Sequence, residues 1–173
     1  MTRDEAHHFL RLGGLIERAD KTTRLLDVKY FFLLPSVSYV GTPLDDVQWG
    51  ALLKSAGGFE MYRKRHRVLS PGRIVDFLLM DGEFPRSVRF CLSSADRVLH
   101  RITGSEAGSY RCPSERMMGR VRADLDYSSV ERILLEGLHE FLDGLQAKLN
   151  EIDSAVFADF FAQEVHSRTS AAG

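Results

Sequence analysis

Apolar and small residues recur at Phe9, Leu12, Ile16, Ala19, Thr23, Leu26, Tyr30 and Leu33, in steps of three and four. That spacing keeps one face of a helix apolar. It predicts a first helix of about 30 residues, ~45 Å long at the usual rise per residue. The helix opens on a capping box at Thr2 and Glu5 and stops before Pro35. After a connection over 35–42, Thr42-Pro43-Leu44-Asp45 supplies a cap, a first-turn proline and a first-turn acid. The stripe Trp49, Leu52, Leu53, Ala56, Phe59 and Tyr62 then carries a second helix to about His66. Ser70-Pro71 opens a third, with Ile74, Phe77, Leu78 and Met80, and Asp81-Gly82 ends it. A fourth begins at Phe84-Pro85, follows Val88, Cys91, Leu92, Ala95, Val98, Leu99 and Ile102, and ends at Thr103-Gly104. Pro113 starts another, through Met117, Met118, Val121 and Leu125, with a break at Tyr127-Ser-Ser129. Val130 to Leu149 continues the helical spacing, and Asp153 or Ser154 caps a final short helix with Val156, Phe157, Phe160 and Phe161. No segment alternates as a strand does. The pattern predicts an all-α bundle of five to seven helices with long N-terminal and C-terminal members, one domain over 1–166, and a disordered tail over 167–173.

Composition narrows the function classes. The chain has 173 residues, 44% hydrophobic and 27% charged, enough for one core without metal or disulfide support. A net charge of -1 argues against a dedicated nucleic-acid binder. Two cysteines, Cys91 and Cys112, exclude a disulfide scaffold and favour reduced thiols. No apolar stretch reaches membrane-spanning length and the N-terminus has no signal-peptide core, so the cytoplasm is the expected compartment and no membrane partner is expected.

The unusual stretch is Leu12 to Asp27, which sets Glu17, Arg18, Asp20, Arg24 and Asp27 into the first helix. Asp20 and Arg24 can pair at i,i+4, and Glu17 and Asp20 can project together. Paired carboxylates can hold a metal or share a proton. However, a bundle metal site draws Glu-x-x-His pairs from other helices, and a match such as Glu136 to His139 is weak by itself. No metal and no cofactor is therefore expected. The main expectation for Glu17, Arg18 and Arg24 is an interhelical salt-bridge network; the alternative is a site where Arg18 and Arg24 hold a carboxylate or phosphate. Gly13 and Gly14 would allow a close helix approach or a kink.

The densest basic patch is Arg63-Lys-Arg-His-Arg67, with Arg73 just beyond. Arg63, Arg65 and Arg67 suit a helix C-terminus, where the dipole favours cations, or a phosphate or nucleic-acid contact. Arg86, Arg89, Arg97, Arg101, Arg116, Arg120 and Arg122 stud later helices and would matter functionally if several met in one cleft. Ser93, Ser94 and Cys91 have no base or orienting partner in sequence.

Leu10-Arg-Leu-Gly13, Ile16-Glu-Arg-Ala-Asp20 and Thr23-Arg-Leu-Leu26 resemble the alpha-E family, a bacterial all-helical domain of unknown function with a Glu-Arg motif. So do Met118-Gly-Arg-Val-Arg-Ala-Asp-Leu-Asp-Tyr127 and Glu136-Gly-Leu-His-Glu-Phe-Leu-Asp-Gly-Leu-Gln146. The chain resembles roughly the C-terminal half of a usual member. The resemblance implies that Glu17 and Arg18 are the motif residues, with no catalytic role attached. It also implies an association with ATP-grasp peptide ligases and transglutaminase-like proteins. The preferred expectation is a helical interaction or accessory protein of such a pathway rather than an enzyme. A homodimer would cover its long amphipathic helices. The alternative is an enzyme acting on an amide or small peptide, with Glu17 moving a proton and Arg18 or Arg24 orienting a carboxylate.

Overall fold

A computed structural model describes residues 3–32 and 43–162. Among these, eight helices and no strand occur: α1 (Arg3–Phe32), α2 (Pro43–Ser55), α3 (Phe59–Arg65), α4 (Pro71–Met80), α5 (Val88–Thr103), α6 (Pro113–Asp126), α7 (Val130–Glu136) and α8 (Leu138–Phe160). The expected caps Thr2 and Thr42, the connection 35–42 and the tail 167–173 lie outside the described residues.

Four helices make a closed ring: α1 packs on α5, α5 on α6, α6 on α8, and α8 on α1. Neighbours in the ring run antiparallel. Phe9 meets Phe160 and Phe161 while Asp27 meets His139, which orients α8 against α1. Arg89 bonds Asp126, and Ser114 N–H donates to Asp159. Leu12, Ala19, Leu26, Leu92, Leu99, Met118, Leu142 and Leu149 are buried inside, which is the apolar stripe of each helix turned to one centre.

Length mismatch explains the rest. α1 has 30 residues and α5 has 16, so α1 outruns its neighbour by ~20 Å at the helical rise. α2 and α4 pack on α1, and α7 fills in against α4 and α8. Without them the last turns of α1 would lie open.

The helix count exceeds the expected range because of two glycines. The helix expected from Pro43 to His66 breaks at Gly57, whose φ of 66° ends α2 in the left-handed region. The helix expected from Val130 breaks at Gly137, with φ 118°, after only seven residues. In the other direction, Asp153 and Ser154 cap nothing: α8 runs through them to Phe160. The fourth helix starts three residues later than its Phe84-Pro85 signal. The hydroxyl of Ser87 accepts from Phe90 N–H at 3.1 Å and caps it. Gly13 and Gly14 mark no close helix approach. A side chain at either would meet nothing within 4 Å, and α1 is unbroken.

Candidate functional site

Where α1 passes the start of α5, the bundle surface opens into a cleft of about 340 Å³. One wall is the face of α1 carrying Gly14, Glu17, Arg18 and Lys21; the others are the α2 end at Ser55 and Ala56, and Arg86 from the α4–α5 loop. Local chemistry fixes each wall. Gly57 turns the chain, and Gly58 lies so close to the stacked rings of Phe77 and Phe84 that an added Cβ would sit 2.9 Å from both. Asp81 Oδ1 accepts from Glu83 N–H at 2.8 Å and Phe84 N–H at 2.6 Å, and the Ser87 hydroxyl donates to the Asp81 carbonyl. These bonds hold the loop that presents Pro85 and Arg86. Thr22, buried on α1, donates from Oγ1 to the Arg86 carbonyl at 2.8 Å, which clamps that loop to α1.

Arg18 Nη1 donates to the Pro85 carbonyl at 3.2 Å, and Arg86 Nη1 to the Ala56 carbonyl at 3.5 Å. Neither guanidinium has a carboxylate partner among the described residues. Glu17 does not neutralise them. It is 63% exposed and bonds Lys21 Nζ at 2.6 Å, one turn along. The cleft therefore carries two uncompensated arginines beside one internally balanced Glu–Lys pair. Behind it, Cys91 is fully buried with Sγ 3.6 Å from the Pro85 carbonyl. Burial pushes its thiol up to about 11 although Arg18 pulls the other way, so it is no nucleophile at neutral pH.

The remaining candidates separate. Asp20 and Arg24 pair within α1 at 2.7 Å and Glu17 pairs with Lys21, so Glu17 and Arg24 bond along one helix rather than in the expected interhelical network. The buried ion pair of α1 lies further on. Lys29, fully buried, donates to Asp45 Oδ1 at 2.8 Å and Gln48 Oε1 at 2.7 Å, and sits 4.9 Å from the Trp49 ring centroid. The sequence reading missed it because Lys29 follows the stripe at the i+3 position from Leu26 and is polar. Asp27 joins His139 of α8 at 2.7 Å. That hydrogen bond holds the imidazole above its usual range. Glu136, the other half of the Glu-x-x-His match, pairs instead with Arg132. Among the described residues no three His, Cys, Asp or Glu side chains gather as metal ligands.

The basic patch at the end of α3 is partly spent. Arg65 bonds Asp81 and Glu83, and Arg63 lies over the Phe59 ring at 5.7 Å. Arg67 is exposed and apart from the cleft. Of the later arginines, Arg86 lines the same cleft as Arg18; Arg89 and Arg122 pair with Asp126 and Asp96. Arg97 bonds Ser94. No described helix is long and apolar enough to cross a membrane.

Glu-Arg stands at 17–18, 115–116 and 131–132. The first two pairs border the clefts at α1 and α6; both residues of the third are exposed, and its Arg132 lines a further cleft with Glu136. No curated protein and no solved structure matches the chain. A family model described as a predicted alpha-helical domain with a conserved ER motif matches residues 1–161. With that match over most of its length, the chain belongs to the Alpha-E family.

Proposed function

We propose that this chain is a helical binding protein whose Glu17–Arg18 cleft holds a carboxylate of a peptide ligand or partner segment, as an accessory to a peptide-ligase type pathway. The observation that carries it is the pair Arg18 and Arg86. Two guanidinium groups line one cleft from different elements, each held by a backbone carbonyl and neither matched by a carboxylate. Guanidinium forks suit carboxylates, and charge-assisted bonds to them are among the stronger polar contacts. Peptide ligation chemistry handles free carboxylates, so the charge of the cleft fits that setting.

The enzyme reading has less support. Glu17 is open to solvent and tied to Lys21, and the nearest thiol is buried with its proton held. Neither is arranged as base or nucleophile.

The test is calorimetric titration with a short acidic peptide bearing a free C-terminal carboxylate, and with its C-terminally amidated form. The free peptide binds the wild type more tightly than the amidated one. Arg18→Ala and Arg86→Ala each weaken it by about tenfold, as loss of one charge-assisted bond implies, while far-UV circular dichroism stays unchanged. Equal binding by wild type and both variants, or no preference for the free carboxylate, refutes the reading.

A further inference from the structure

A second cleft, of about 330 Å³, lies between α5, the loop over 104–112 and α6. We propose that it binds a nucleoside monophosphate, with the phosphate on Arg116 and Arg120 and the base against the ring of Tyr110.

The charges decide what kind of ligand fits. Two carboxylates border this cleft, and both are already engaged. Asp96 Oδ2 lies 3.2 Å from Arg122 Nε. Glu115, whose side chain is buried, accepts from the hydroxyls of Thr103 and Ser105 and from Arg111 N–H at 2.6 Å. Burial pushes the Glu115 carboxyl up, but those donors together with His100 outweigh it and hold it below the usual range. It stays an anion consumed by its own surroundings. What remains is Arg116 and Arg120, one turn apart on α6, with no carboxylate partner for either among the described residues. Gly119 between them leaves the approach open, since a side chain there would meet nothing within 4 Å. Two guanidinium groups at one-turn spacing match the oxygens of one phosphate.

The planar part of the ligand follows from Tyr110. Tyr110 is 60% exposed, and the Arg116 guanidinium carbon lies over its ring, 6.0 Å from the centroid. An exposed aromatic beside a phosphate-binding pair is a stacking platform for a base. The platform is fixed rather than loose. Glu115 on α6 binds Thr103, Ser105 and the Arg111 backbone, and Arg111 Nη1 donates to the Thr103 carbonyl at 2.8 Å. The loop carrying Tyr110 is thus tied to the helix carrying both arginines. The volume sits at the low end of the ~300–1,000 Å³ usual for small-molecule sites, which suits one nucleotide.

The experiment titrates the whole chain with AMP, with adenosine and with inorganic phosphate, at fixed low salt. AMP binds more tightly than either part. Arg120→Ala weakens AMP by about tenfold, and Tyr110→Leu weakens AMP about tenfold but leaves phosphate binding unchanged. Arg18→Ala, in the other cleft, changes neither. Arg120 and Tyr110 are exposed, so these variants keep the wild-type thermal midpoint. Absence of AMP binding at millimolar concentration overturns the proposal. So does AMP binding no tighter than phosphate, or binding indifferent to Arg120→Ala and Tyr110→Leu.

Discussion

Asp45→Ala is expected to cost more stability than removal of any charged side chain in the Glu17–Asp27 run. In the folded chain the Lys29 ammonium is fully buried and its charge is met by Asp45 at 2.8 Å, with Gln48 at 2.7 Å and the Trp49 ring as neutral partners. Removing Asp45 leaves a buried cation facing an amide and an aromatic face. Breaking a buried pair in this way costs ~3–5 kcal/mol. In a chain of this size each kcal/mol lowers the thermal midpoint by ~2–4 °C, so the expected fall is ~6–20 °C. By contrast Glu17→Ala removes a pair exposed on both sides, worth ~1 kcal/mol or less. Urea unfolding followed by circular dichroism measures both on one scale. The double variant Lys29→Met/Asp45→Leu separates the charge from the packing: an apolar pair of similar volume recovers most of the loss. The reasoning fails if Asp45→Ala costs under ~1 kcal/mol, or if the double variant is no more stable than the single one.

Two further outcomes test the interfaces around the clefts. The Asp27 hydrogen bond raises the His139 imidazole above its usual range, so its contribution is fully present below the unfolded value of ~6.5 and is lost as pH rises through the raised folded value. His139→Asn should flatten the stability–pH curve across that window, and an unaltered curve would show the contact carries no linkage. Gly58→Ala pushes a methyl to 2.9 Å from Phe77 and Phe84, which should cost ~1–3 kcal/mol as overpacking; an unchanged urea midpoint would mean the rings yield freely.

Most of the bundle was legible because its helices obey one rule, an apolar face at a period near 3.6. Leu12, Ala19, Leu26 on α1 and Val88, Cys91, Leu92, Leu99 on α5 are buried as their spacing demands. What escaped was decided by single residues whose pattern is ambiguous. Gly137 sits in a run where Leu134 and Leu138 continue the stripe, yet Leu134 is exposed and the backbone turns there. Lys29 occupies a core position, which composition-based reading assigns to water. Its partner lies 16 residues on, beyond any helical spacing rule. The first cleft was illegible for a related reason: it joins α1 to Ala56 and Arg86, which are distant in sequence.

That difference bears on what the Glu-Arg run is for. Two of the charges that hold this fold are buried: Lys29 is matched by Asp45, and Glu115 is fully donated to. Arg18 meets neither description. It lies on the outside of α1, its recorded bond goes to one carbonyl, and its neighbour Arg86 is in the same state. Stability gains little from such a pair. The bonds of Thr22, Asp81 and Ser87 hold in place the loop that carries the second. An anion entering the cleft would meet two guanidinium groups that no carboxylate of the described residues meets. On the proposed reading Arg18 serves what enters the cleft, while Asp20, Arg24 and Asp27 bond within α1 or to α8 and serve the bundle.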